Sequence, residues 1–126
     1  MQMVIPISPV TKKNSQQIVR AGRRLIVVPS AAYKKYENMC KAFIRPLDRP
    51  IDSPVNVECV YYMPTRRKVD LVNLQEATLD VLVKHGVLAD DNSKIVVSMD
   101  GSRVYYDKHN PRTEICIESV QGGNKA

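Results

Sequence analysis

The residues of this chain whose type and spacing could do chemistry are acids gathered in one stretch of a basic protein. Residues 70–100 hold six acidic and two basic side chains, whereas residues 1–69 hold 13 basic and four acidic ones. Such acids would oppose a protein that only coated nucleic acid with positive charge. A bound divalent cation explains them, because Mg²⁺ and Mn²⁺ prefer oxygen ligands and activate water for hydrolysis. The stretch therefore predicts a candidate metal site.

A helix over residues 70–85 would position most of these acids. Successive helical residues turn by about 100°, which places one broad and mainly apolar arc on Leu71, Val72, Leu74, Gln75, Thr78, Leu79, Val81, Leu82 and Val83. So wide an arc predicts a largely buried helix. The remaining arc, called here the polar strip, carries Asp70, Asn73, Glu76, Asp80 and Lys84.

A plain structural interpretation of the same pattern stays open. The polar strip can be a solvated face in which Asp80 pairs with Lys84 four residues later. Asp70 in the first turn also suits the helix dipole without any catalytic role. A second acid pair, Asp90 and Asp91, follows the helix after Gly86, which is placed to form a left-handed cap.

Length and composition limit the class of protein. With 126 residues, 14.2 kDa and a net charge of +6, the chain is expected to form a single domain over 1–126 that suits a polyanionic partner. Three widely spaced cysteines predict small buried thiols rather than a cystine framework or a zinc module. No secretory signal or membrane span is expected, and a cytoplasmic protein follows.

The remaining pattern predicts an α+β or α/β fold, with a mixed sheet of about five strands packed with two helices. A hairpin or an irregular arm is expected over 18–28, a strong hairpin turn signal lies at Asp100-Gly101, and a frayed tail is expected over 121–126. The predicted strands cover residues 3–7, 55–63, 94–99, 103–106 and 113–120, and the predicted helices cover 30–44, with Ser30 as N-cap, and 70–85.

Basic residues in three segments are candidates for DNA contacts. Phosphate contacts position a nucleic acid without reading its sequence and make affinity fall with salt. The candidates are Lys12, Lys13, Arg23, Arg24, Arg66, Arg67 and Lys68. The chain has no Trp and one Phe, so only its six tyrosines could stack on bases.

The segment RRKVDLVNLQEATLDVLVKHGVLADDNSKIV resembles the signature of the RusA family of crossover junction endodeoxyribonucleases. That signature is a basic segment, Asp-x-Asp-Asn-Leu, a helix with Asp-x-Leu, a glycine, and an Asp-Asp pair before a strand. Eight positions match it: Asp70, Asn73, Leu74, Asp80, Leu82, Gly86, Asp90 and Asp91. The segments PVTKKNSQQI and PSAAYKKYE also resemble the family's first loop and first helix.

The resemblance implies a small homodimer, encoded by a bacterium or prophage, that uses Mg²⁺ or Mn²⁺ to nick two symmetric strands of a four-way DNA junction. It needs no small-molecule cofactor and no membrane. Asp70 and Asp91 would be metal-binding acids, with Asp90 and Asn73 beside them in the catalytic site. Two positions depart from the family pattern, because Val72 replaces its second acid and Glu76 replaces its usual lysine.

We therefore expect Glu76 to supply the lost carboxylate, so that Asp70, Glu76 and Asp91 converge as metal ligands. Two alternatives remain: a catalytically impaired protein that only binds junction DNA, and a nuclease that acts on other branched DNA.

Overall fold

The computed structural model describes residues 1–12, 16–29 and 31–120, without the side chains of 16–19 and 27–29. Within this part of the chain, the elements in order are β1 (Gln2–Ile5), β2 (Gln16–Ala21), β3 (Arg24–Pro29), α1 (Ala31–Cys40), a 3₁₀ turn (Lys41–Phe43), β4 (Val55–Met63), α2 (Leu71–Lys84), β5 (Val96–Ser98), β6 (Arg103–Tyr106) and β7 (Arg112–Ser119). Ser30 and residues 121–126, named above as a helix cap and a frayed tail, lie outside the described residues.

Five of the strands form one mixed sheet in which β4 is central. Along one edge β4 pairs with β7 in antiparallel register, and β7 pairs with β1 in the same sense. At its other edge β4 pairs in parallel with β5 near its start and with β6 near its end. The predicted small α+β domain, with a mixed sheet and two helices, is confirmed.

One face of this sheet and both helices share a single core. The alternation of β4 places Val55, Val57, Cys59 and Tyr61 on the buried face, as predicted, because successive strand residues point to opposite faces. Ile115 and Ile117 of β7 and the buried residues of α1 and α2 complete the core. The opposite face of β4, from Asn56 to Tyr62, is only half-buried.

The first helix begins close to the predicted position but turns a different side inward. Tyr33, Tyr36 and Cys40 are buried, whereas Met39 and Phe43, which together with Ala32 and Tyr36 fall at helical spacing in the predicted helix, are each 43% exposed. The helix ends at Cys40 and tightens into the 3₁₀ turn, so residues 41–43 do not continue its α-helical face.

The second helix matches its prediction in length and in most of its buried face. Leu74, Val81 and Leu82 are at most 1% exposed, and Gly86 follows the helix with the left-handed φ of 79° that a C-terminal cap requires. Val72 was assigned to the buried arc, but it is 69% exposed. It lies in the first turn, at the edge of the predicted arc. Asn73, assigned to the polar strip, and Ala77, outside the predicted arc, are buried instead.

Of the two turn predictions, one is confirmed and the other is wrong. Strands β2 and β3 pair as an antiparallel hairpin around Gly22. The Asp100-Gly101 turn, however, does not close a hairpin, because β5 and β6 pair with β4 and not with each other. The turn is held against β4 instead: the Asp100 amide donates to Asn56 Oδ1 at 2.8 Å, and Asn56 Nδ2 donates to the Asp100 carbonyl at 3.2 Å.

Two further expectations concern the cysteines and the membrane. Cys40 and Cys59 are buried free thiols, as predicted, and burial raises the pKa of Cys40 to about 11 and that of Cys59 to about 12. Cys116 is half-buried. No helix among the described residues is long and apolar enough to span a bilayer.

Candidate nuclease site

Asp70 stands at the start of α2, at the end of the loop that leaves β4. Its backbone is extended, with φ −85° and ψ 123°, and its side chain makes no capping hydrogen bond to the helix. Its Oδ2 atom accepts instead from Nδ2 of Asn73, at 3.2 Å, and Asn73 is 9% exposed. A buried amide one turn along the helix therefore orients this carboxylate while leaving it exposed to solvent.

Further along the polar strip, the acids meet partners that differ from those expected. Lys84 pairs with Glu37 of α1, so the expected Asp80–Lys84 pair is wrong. Asp80 pairs with Lys12, whose Nζ lies 3.3 Å from Oδ2. Glu76 is exposed on the helix surface between Asn73 and Asp80.

The Asp90-Asp91 pair lies in the loop after α2, and its two members are in different states. Asp90 accepts from the Asp91 amide at 2.8 Å and from Asn92 Nδ2 at 2.9 Å, and these bonds lower its pKa. Partial burial raises the pKa of Asp91, and the charges of Asp90 and Asp80 add to this effect. Asp90 thus shapes the loop, whereas Asp91 presents a carboxylate in a region of accumulated negative charge near Asp80.

The three predicted ligands are not assembled into one group. Among the described residues, which include Asp70, Glu76 and Asp91, no three His, Cys, Asp or Glu side chains are close enough to hold a metal ion. The helix gives a reason, since residues three or four apart are neighbours on its surface. Glu76 is six residues from Asp70, about 9 Å along the axis, and is therefore not placed beside it.

The donor set still suits a hard cation. Aspartate and glutamate oxygens are the ligands that Mg²⁺ prefers, and Mg²⁺ is commonly held by one or two carboxylates together with waters and substrate phosphate. Asp70 and Asp91 each present an exposed carboxylate of this kind, and their binding of one ion stays a prediction. The role of Glu76 as a ligand remains a prediction.

The candidate DNA-binding residues fall in different settings. Arg66, Arg67 and Lys68 form an exposed loop between β4 and α2, called here the basic loop, which only Val69 separates from Asp70. Arg23 is exposed in the turn of the β2–β3 hairpin, and Arg24 is exposed at the start of β3. Lys12 is partly neutralised by Asp80, and Lys13 lies outside the described residues.

Sequence reasoning missed an aromatic cluster beside the basic loop. Tyr62 and Tyr105 lie side by side on adjacent strands, with ring centroids 5.5 Å apart, and the guanidinium of Arg66 lies 4.2 Å from the ring centroid of Tyr106. The sequence shows two consecutive tyrosines in the predicted strand 103–106. It does not show which side chains lie beside them, because that depends on the parallel pairing of β6 with β4.

Comparison with known proteins identifies the family of the chain. No curated protein matches the chain. The family model for endodeoxyribonuclease RusA matches residues 6–118, which include β2 to β6, all but the last residue of β7, both helices, the basic loop and the candidate acids. The chain therefore belongs to the RusA family of endodeoxyribonucleases, which act on Holliday junctions.

Proposed function

We propose that the protein is a metal-dependent, structure-specific endonuclease that resolves four-way DNA junctions by paired symmetric nicks. The observation that carries the proposal is the seven-residue connection from β4 to α2, in which three exposed cations are followed, after Val69, by the exposed Asp70 carboxylate. Because the basic loop and Asp70 belong to one short connection, a phosphate bound by the loop would lie near an acid that can hold a cation.

Asp70 and Asp91 would hold Mg²⁺ or Mn²⁺, with Glu76 as the third candidate ligand. Such an ion would lower the pKa of the water bound to it and would neutralise negative charge on the phosphate. Asn73 fixes the Asp70 carboxylate through its amide, and Asp90 fixes the loop that presents Asp91. Arg66, Arg67 and Lys68 would bind the phosphates on either side of the scissile bond.

A four-way junction has two strands to cut, and its approximate two-fold symmetry suits an isologous dimer with one site in each copy. We propose a homodimer on this ground, acting in the cytoplasm of a bacterial cell. The half-buried face of the sheet opposite the helices is one surface that a second copy could cover.

The experiment is cleavage of a synthetic four-way junction, with Mg²⁺ or Mn²⁺, by the wild type and by Asp70→Asn, Glu76→Gln and Asp91→Asn. The matched control is Glu118→Gln, an exposed acid at the end of β7. We expect paired symmetric nicks from the wild type and the control, and none from Asp70→Asn or Asp91→Asn. A fully active Glu76→Gln variant would remove Glu76 from the ligand set.

A second candidate is a protein that binds junctions without cutting them. Two observations favour it: Val72, 69% exposed, replaces the family's second acid, and the described residues contain no three-acid group. Tight junction binding with no nicks in either metal would establish this candidate. Nicks on flaps or forks, but not on four-way junctions, would identify a nuclease for other branched DNA.

A further inference from the structure

The tyrosines of this protein divide into two sets of three. Tyr33, Tyr36 and Tyr61 are at most 5% exposed and belong to the core. The other three occur together where β4 and β6 end, and their positions follow from the parallel register that places Tyr62 beside Tyr105 and Met63 beside Tyr106. Tyr105 and Tyr106 are 47% and 40% exposed.

These exposed rings border a groove that also includes the basic loop. The groove has a volume of about 380 Å³, and its lining includes Thr65, Arg66 and Arg67 from the loop and Val104, Tyr105 and Tyr106 from β6. Large apolar side chains exposed singly are ordinary, but here three consecutive exposed residues at the end of an edge strand line the same groove as a cationic loop.

Two of the rings contact an arginine, and the two arginines differ in whether their charge is paired with an acid. Arg112 lies 3.7 Å from the Tyr62 ring centroid and is itself paired with Asp107 and Glu114, so its charge is compensated. Arg66 lies 4.2 Å from the Tyr106 centroid. In the described part of the chain, no ion pair involves Arg66 or the other cations of the basic loop.

A nucleic acid that is partly unstacked matches both features of this groove. Its phosphates fit the uncompensated cations, and a base that has left the helical stack offers a flat π surface to the tyrosine rings and to the Arg66 guanidinium. A base inside a continuous duplex offers no such surface, because its neighbours cover both faces. A four-way junction exposes bases at its branch point when the strands open.

We propose that Tyr105, Tyr106 and Arg66 form a stacking site for an unpaired base at the branch point of junction DNA. This rests on the proposed function in one respect, the branched DNA substrate. The site makes the protein prefer branched DNA over linear duplex, independently of the carboxylates that would cut it.

The experiment measures binding with EDTA present, so that no cleavage occurs, to a four-way junction carrying 2-aminopurine at its branch point and to a linear duplex of the same sequence. The variants are Tyr105→Leu, Tyr106→Leu and Tyr106→Phe. Phe43→Leu is the matched control, because Phe43 is 43% exposed and its 3₁₀ turn contacts β1, at the opposite edge of the sheet from β6.

We expect each leucine variant to lose about tenfold in junction affinity and almost nothing in duplex affinity, as the loss of one base–aromatic stack predicts. Tyr106→Phe keeps the ring and should bind like the wild type. Binding of the wild type should change the 2-aminopurine emission, and Tyr106→Leu should reduce that change.

Equal losses on junction and duplex, equal effects of Phe and Leu at position 106, or leucine variants that bind the junction like the wild type would each overturn the stacking site. These outcomes are separate from a failure of the nuclease proposal, which is a wild type that binds junctions with the selectivity described but makes no nicks when Mg²⁺ or Mn²⁺ is added.

Discussion

A buried hydrogen bond between β4 and α2 gives a quantitative test of how the two layers are joined. Tyr61 Oη lies 2.7 Å from Thr78 Oγ1, and Thr78 Oγ1 lies 3.0 Å from the Leu74 carbonyl oxygen. A hydroxyl has one proton, and Thr78 gives its proton to the carbonyl. Tyr61 is therefore the donor to Thr78. Burial raises the pKa of Tyr61, which keeps that proton in place.

The direction of the bond predicts that the two single substitutions have unequal costs. Thr78→Val removes the oxygen acceptor of the Tyr61 O–H, which is 1% exposed and is left with only the weak sulfur acceptor of Cys59. This loss should cost about 1–3 kcal/mol of unfolding free energy. Tyr61→Phe removes the donor but leaves the Thr78 proton bonded to Leu74, so it should cost only about 1 kcal/mol. The double variant leaves no buried O–H unsatisfied, and its cost should fall short of the sum by about 1 kcal/mol.

Urea unfolding followed by far-ultraviolet circular dichroism measures all four proteins, and the m values should agree if the unfolded states are comparable. The reasoning is refuted if Thr78→Val costs no more than Tyr61→Phe, or if the two effects add. Either result would mean that Thr78 donates to Tyr61, or that water reaches the pair.

Three more predictions concern the basic loop before α2, the Asp91 carboxylate after it, and the glycine cap at its end. The double variant Arg67→Gln/Lys68→Gln should make the plot of log affinity for duplex DNA against log salt concentration less steep by about 1.8, because each lost phosphate contact contributes about 0.9. Anisotropy titrations over a salt series measure this slope, and an unchanged slope contradicts the prediction. Asp91→Asn should raise the free energy of unfolding at pH 7, because the raised pKa means that the charged Asp91 carboxylate is less favourable in the folded state than in the unfolded state. The gain should vanish as the pH falls through the raised pKa and Asp91 of the wild type takes up its proton. A variant less stable than the wild type at pH 7 contradicts this prediction. Gly86→Ala should cost about 1–2 kcal/mol in urea unfolding, because φ is 79° and the new Cβ would lie 3.3 Å from Cβ of Pro46; an unchanged midpoint contradicts it.

The elements that sequence predicted best are those whose signal is local and periodic. The alternation of Val55, Val57, Cys59 and Tyr61 fixed the bounds of β4, and the helical arc together with Gly86 fixed those of α2 within a residue. Periodicity reports which side of an element is apolar. It does not report where the buried face ends, and Val72, at the edge of the predicted arc, was therefore misassigned.

The partners of side chains were harder to predict, because they depend on residues distant in sequence. The local rule paired Asp80 with Lys84, but Asp80 takes Lys12, 68 residues away. Asp100-Gly101 has the composition of a hairpin turn, yet Asn56, 44 residues earlier, holds it against β4. The acids of the candidate site were found from the motif, whereas the groove at Tyr105 and Tyr106 required the pairing of β6 with β4.

The central position of β4 has a consequence for how strain is shared when DNA is bound. Its backbone is hydrogen-bonded along both edges, to β7 on one side and to β5 and β6 on the other. Amides paired in this way belong to the part of a fold that opens least, with opening free energies that approach that of global unfolding. The basic loop begins where β4 ends, so its first residues are attached to a rigid strand. The protein therefore resists deformation next to the residues that would bind the phosphates. Any bending needed to fit a branched substrate is then borne mainly by the DNA.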